Sequence, residues 1–448
     1  MIRASVLIVT ASLGVCALCS GKAAAQQPGV YLDLPTVETS VTAVQGRPSP
    51  GMQQSLWLAT DAYELAHFGI GEGLGLGSGV QWRETVSRIA IGAADIALIQ
   101  LPPGLAWQHE EWHRAVLSHR GISSFNDVYD FDFTKSAIAV SHVSDAGLVR
   151  LKRDHPADLV RLETAGFEAN YELATNLEKT QFFHRTRSWN VVALWSLYLS
   201  NILYLQTCAG KEADSLTDEM NQSDGANVAK RDFTGADCTG WTYDLFRPDE
   251  PYAARGVHPS GVGINRYRRF SDLTSAEKDY VRAERDLSLL NLIDPALLGF
   301  TDFKAGAMRW NGHVRYMPTS FGSTLDLDAF LAHGQHNLFA TLHGYRNRDH
   351  MFPGLTLEMI RLPVGSPWGY PQLTLGLKAS AWLQPENQRF LQSTAAPGGQ
   401  VAARVGVAVS KLAEPYVEVD AKTAGWVAGN VHLDPAVVVR AGLVCMAF

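Results

Sequence analysis

From Gly306 to the C-terminus the apolar residues recur with a period of two, which restricts this third of the chain to strands with one apolar and one polar face. Met308, Trp310, Gly312, Val314 and Tyr316 alternate with Arg309, Asn311, His313 and Arg315. Leu325, Leu327, Ala329 and Leu331 alternate with Thr324, Asp326 and Asp328, and Leu338, Ala340 and Leu342 with Asn337, Thr341 and His343. Five further runs follow, around Leu355–Met359, Leu373–Ala381, Val401–Val409, Val417–Lys422 and Val437–Leu443, with turn signals such as Pro397-Gly398-Gly399 between them. Eight amphipathic strands on short connections can hide their edges by closing, so residues 306–448 are expected to form an eight-stranded antiparallel β-barrel.

Alternation alone does not say which face meets solvent. A soluble barrel or sandwich turns the apolar face inward, whereas a membrane barrel turns it outward. Three features favour the membrane orientation. The polar face carries both signs of charge and can pair internally (Arg309, Arg315, Asp326, Asp328, Glu358, Lys378, Glu418, Asp420, Lys422). Aromatics fall near the strand ends (Trp310, Tyr316, Phe330, Tyr345, Trp368, Tyr370, Trp382, Tyr416, Trp426), like the girdle of a transmembrane barrel. The third feature is the N-terminus, where Met1-Ile2-Arg3, an apolar run from Ala4 to Cys19, and Ala23-Ala24-Ala25 have the order of a secretory signal cleaved after Ala25. The region also resembles bacterial outer-membrane β-barrel proteins in ending on Phe448, although Arg440 falls on the face that Met446 and Val444 share.

The rest of the composition narrows the field. Net charge is −7, from 38 Lys+Arg against 45 Asp+Glu, which argues against nucleic acid as a partner because phosphate neutralisation needs a basic face. Beyond the leader the cysteines are Cys208, Cys238 and Cys445; in a secreted chain the first two are expected to pair across a polar loop. Residues 26–79 read as an irregular segment broken by Gly and Pro, with one helical piece at Gln53–Phe68. Residues 80–305 carry helical periodicity, with candidates at Leu105–His119, Pro156–Phe183 and Val191–Leu205, and a capping box at Thr274 and Glu277.

The helix candidate after Pro102-Pro103-Gly104 contains His109-Glu110-Glu111-Trp112-His113. Histidines four apart project from one helical face and can fill two corners of a tetrahedral zinc site, with Glu110 beside them to act on a metal-bound water. His109, Glu110 and His113 resemble the H-E-x-x-H motif of the zincin metallopeptidases. The resemblance implies zinc as cofactor, Glu110 as general base and a peptide or protein substrate; it departs from the family in having Glu111 at a position that is usually apolar.

A third ligand is then required. His119 has the offset of the metzincin histidine, but the intervening glycine is missing. The gluzincin pattern takes a glutamate from a later helix, and the stretch Glu163 to Glu172 offers Glu168 as first candidate and Glu172 as second. Gly166 there permits two helices to approach closely. The expected protein is of the α+β class: a mainly helical zincin-like domain at 80–305, followed by a membrane barrel in contact with outer-membrane lipids. The rival reading is a non-enzymatic outer-membrane protein, structural or adhesive, in which the histidine pair is incidental.

Overall fold

The computed structural model describes residues 29–41, 50–130, 138–365 and 372–447. The expected leader, Phe448, Trp368 and Tyr370 lie outside these residues. In chain order the first elements are strand β1 (Val30–Ser40) and helices α1 (Met52–Leu74), α2 (Gln81–Leu98) and α3 (Leu105–His119). Two short strands, β2 (Phe125–Asn126) and β3 (Val140–Ser141), precede α4 (Asp145–Asp154), α5 (Pro156–His184), α6 (Val191–Cys208), α7 (Glu212–Asp224), α8 (Asp237–Phe246) and α9 (Ser275–Ser288). α9 begins at the expected capping box: Thr274 Oγ1 accepts from Glu277 N–H, and the Glu277 carboxylate accepts from Thr274 N–H at 2.7 Å.

The remaining strands are β4 (Phe303–Ala305), β5 (Met308–Thr319), β6 (Gly322–His333), β7 (His336–Asn347), β8 (His350–Gly365), β9 (Leu373–Pro385), β10 (Ala395–Val407), β11 (Ala413–Lys422) and β12 (Ala436–Ala447). Each of the eight alternating runs forms one of the strands β5 to β12. They do not close on themselves. The sheet has ten strands in the order β1-β12-β11-β10-β9-β8-β7-β6-β5-β4, all antiparallel, so the expected eight-stranded barrel is replaced by an open sheet.

Two physical reasons account for the difference. An eight-stranded barrel has an interior just wide enough for side chains, whereas the inner face of this sheet receives α5, whose 29 residues form a cylinder about 10 Å across. Arg315 on β5 bonds Glu172 and Thr175 of α5, Lys179 of α5 pairs with Glu358 of β8, and Phe182 and Phe183 pack on Phe330 and Phe339. The second reason is β1, which lies within the segment read as irregular. Pro35 and a register shift between Pro35 and Val37 break its alternation, and Tyr31 to Asp33 are buried on both faces, so no period of two is visible there.

The sheet has its polar face inside. On β6, Asp326 is fully buried while Leu327 is 53% exposed; on β11, Asp420 is 3% exposed and Val417 52%. The buried charges are paired across strands and to the helices: Arg315 with Asp326 and Asp328, His343 with Asp326, Arg361 with Glu414, and Arg440 with Glu418 and Asp420. A polar cavity of about 220 Å³ remains between the sheet and helices α1 and α5, lined among others by Asn176, Lys179, Arg361, Arg404 and Asp420.

Helices stand where the sheet ends. The outer edge of β1 lies on α1, where Asp33 N–H donates to Asp61 Oδ1 and Gln54 Nε2–H donates to Pro35 O. α1 packs on α2, α2 on α6, and α6 on the one-turn helix Pro295–Leu298, while the neighbouring turn Leu289–Ile293 lies against β5. α5 thus packs on the inner face of the sheet on one side and on helices α1, α3, α4, α6 and α8 on the others.

Candidate functional site

α3 starts after Gly104, whose backbone approaches so closely that a Cβ there would lie 1.8 Å from the Leu98 carbonyl oxygen. Trp112, fully buried, anchors one side of the helix in the core. The adjoining face presents His109 and His113, with ring centroids 5.0 Å apart, toward α5 and α8. Glu111 lies away from this pair, with its carboxylate held by Arg114 at 2.6 Å and Asn126 at 2.9 Å, which accommodates its buried charge.

The carboxylate that meets the two histidines belongs to Asp237, the first residue of α8. Asp237 Oδ2 is 3.2 Å from His109 Nε2 and 3.4 Å from His113 Nε2. Donor atoms of one tetrahedral zinc ion, each about 2.0–2.1 Å from it, lie about 3.4 Å apart. The three residues are therefore spaced as a ligand set, and all are buried.

The supports of these side chains fit that reading. His113 Nδ1–H donates to the Leu162 carbonyl oxygen at 2.6 Å, which fixes the ring orientation and turns Nε2 toward Asp237. The Asn170 amide lies 3.4 Å from His109 Nδ1. Asp237 N–H donates to Tyr204 Oη at 3.0 Å, and the Tyr204 ring stacks on Phe167. One residue on, Cys238 forms a disulfide with Cys208 at the end of α6, as expected from the sequence, so the start of α8 is tied covalently beside the site. Asp232 accepts backbone N–H bonds from Val140, Thr234 and Gly235 and shapes the loop leading into Asp237.

Gly166 of α5 lies directly beside His109. A Cβ on it would stand 2.1 Å from His109 Nε2, so a side chain at 166 and an imidazole at the site exclude each other.

Electrostatics follow from burial. Burial lowers the basicity of His109, only partly offset by Asp237. Burial also disfavours charge on His113, but Asp237 outweighs it and holds the imidazole above its ordinary range. Reciprocally, burial raises the Asp237 carboxyl and the histidines more than compensate, so it stays below the usual carboxylate range. Glu110 is pushed well above that range by burial and by the charges of Asp237, Asp232, Asp127 and Glu111. A cation beside Asp237 counters part of that repulsion.

The two glutamates expected as third ligand are engaged elsewhere. Glu168 accepts from Arg161 at 2.8 Å, from Gly429 N–H at 2.8 Å and from Trp426 Nε1 at 3.2 Å; Glu172 pairs with Arg315. His119 stacks edge-on against His432 at 4.4 Å and takes no part in the site. Asp237 was reachable from sequence by one signal: it precedes the cysteine expected to pair with the end of the Val191 helix.

A second convergence, Glu178, Asp294 and His313, carries no sequence motif. Comparison with protein-family models finds none that matches this chain, and no curated protein matches it in sequence.

Proposed function

We propose that the protein is a zinc-dependent peptide hydrolase of the bacterial cell envelope, with His109, His113 and Asp237 as metal ligands and Glu110 as general base. The observation that carries this reading is the convergence, at ligand spacing, of two Nε2 atoms from α3, the helix that also bears Glu110, on one carboxylate oxygen of Asp237 from α8. Asp237 replaces Glu168 and Glu172 in this proposal. Zinc held by these three residues would supply Lewis-acid polarisation of the scissile carbonyl and a more acidic water. Glu110 accepts the proton of that water and returns it to the departing amine. Tyr204, whose oxygen accepts the Asp237 N–H, retains its own hydroxyl proton to donate toward the oxygen where negative charge develops.

The same proposal places the outer face of the sheet against outer-membrane lipid. Its support is the inverted burial of the strands, together with exposed Trp82, Ile89 and Ile96 on α2, Leu203 on α6, and Leu298 and Phe300 beyond it, which continue the apolar face past the ends of the sheet. Open sheet edges are not tolerated in hydrocarbon, and here α1 covers the edge of β1.

Metal analysis and peptide hydrolysis test the enzymatic half. The wild type is expected to carry zinc and cleave peptides, His113→Ala and Asp237→Asn to lose that zinc, and Glu110→Gln to retain it while losing at least about 100-fold in kcat. Equal zinc in the wild type and His113→Ala leaves the non-enzymatic reading. Purification that depends on detergent supports the membrane half.

A further inference from the structure

We propose a second, structural metal site at Glu178, Asp294 and His313, taking a divalent first-row ion such as Zn²⁺ or Mn²⁺ and pinning the sheet to the helices. Glu178 is on α5, His313 on β5, and Asp294 caps the one-turn helix Pro295–Leu298 through a bond from Ala296 N–H to its Oδ1 at 2.8 Å. Asp294 Oδ2 accepts from the Tyr198 hydroxyl at 3.0 Å and also faces the His313 ring. His313 Nδ1 is 3.2 Å from Glu178 Oε2 and 3.7 Å from Asp294 Oδ2, bracketing the spacing of donors around one ion.

Three observations separate this cluster from an ordinary buried ion pair. The first is orientation. Asp328 Oδ2 holds His313 Nε2 at 3.1 Å and is itself fixed by Thr341, the carboxylate–imidazole arrangement that aims the other ring nitrogen at a metal. The second is under-satisfaction: His313 is 7% exposed and Glu178 4%, and His313 Nδ1 and Glu178 Oε2 face each other at 3.2 Å without the alignment of a hydrogen bond and without a further hydrogen-bond partner. Polar atoms held at such depth by one ill-aligned contact are costly, and an ion between them would satisfy both.

The third is charge. Glu172, Glu178, Asp294, Asp326 and Asp328 form one connected network whose permanent cation is Arg315, bonded to Glu172, Asp326 and Asp328; Lys179 is drawn off to Glu358. By contrast the buried network at Glu163 and Asp244 is balanced by Lys152 and Arg255. A surplus of buried carboxylate is expensive without a compensating cation. The Tyr198 hydroxyl, 3.0 Å from Asp294 Oδ2 and 3.3 Å from Glu178 Oε1, brings one donated proton to two carboxylates. Two carboxylates and one imidazole are a donor set for a borderline ion rather than for Ca²⁺ or a thiophilic metal.

The test is metal content per chain, by mass spectrometry, of the full-length protein equilibrated with Zn²⁺ alone and then with Mn²⁺ alone, for the wild type and for His313→Ala, Glu178→Gln and His113→Ala. The expected result is two equivalents of metal in the wild type and one in each variant, with chelator-induced loss of melting temperature persisting in His113→Ala and shrinking in Glu178→Gln. Should His313→Ala fail to fold, the near-isosteric Glu178→Gln decides. Wild-type metal content in Glu178→Gln overturns the proposal. A single equivalent that survives His113→Ala but disappears in Glu178→Gln sustains this site and sinks the catalytic one instead.

Discussion

A missing Cβ sets the geometry of the candidate catalytic centre. Because a methyl group on Gly166 would overlap His109 Nε2, and α5 is packed on both sides, the imidazole rather than the helix has to yield. Gly166→Ala is expected to weaken zinc binding by about 10- to 100-fold, as disturbing a ligand's support commonly does, at a stability cost of about 1–3 kcal/mol from overpacking. Competition with a chromogenic chelator and a melting curve check the two parts. A second residue-scale expectation concerns His119 and His432. Burial, and then the His432 and Lys422 charges respectively, depress them from 6.5 to about 3 and about 4. Both folded-state values lie below the unfolded one, so the stability that these neutral imidazoles confer is complete above about pH 6.5 and lost as pH falls toward 4. The melting temperature in the presence of chelator is expected to drop between pH 7.5 and pH 5, and to drop less in a His119→Asn, His432→Asn double variant.

At the scale of elements, the disulfide between α6 and α8 connects stability to the site. Cys238 follows Asp237 directly, so the cross-link restrains the ligand as well as the loop between the helices. Replacing both cysteines by Ala is expected to cost about 2–4 kcal/mol and to reduce zinc affinity, whereas a purely structural disulfide would affect only the first. Urea unfolding and zinc titration of the same variant distinguish these. Helix α3 was legible in the sequence to its ends, because Gly104 stops the chain before it and its histidines, Trp112 and Leu105 keep a helical period. The third ligand was not legible, because Asp237 and His113 are 124 positions apart and no periodicity links one helix start to another helix face. Glu168, chosen for its place on a helix beside Gly166, is instead consumed by Arg161 and Trp426, a partner that comes from the far end of the chain.

For the whole molecule the decisive feature is a wall that is apolar outside and charged inside. If lipid covers that wall, an arginine introduced at Leu342, 52% exposed on β7, costs about 2–4 kcal/mol in a bilayer, where the same change on a wetted surface stays within about 0.5 kcal/mol. Unfolding of Leu342→Arg from phospholipid vesicles measures the difference. The wall also explains the buried ion pairs, since paired charges facing α5 join sheet and helix without meeting solvent.

The sequence by itself determined the eight C-terminal strands, the α3 histidine pair and the Cys208–Cys238 cross-link, because each rests on local periodicity or on spacing along the chain. Tertiary structure alone decided that the sheet takes up β1 and stays open, and that Asp237 stands between the histidines. Those outcomes depend on what a 29-residue helix displaces and on which distant groups neutralise one another, and neither is encoded within a window of neighbouring residues.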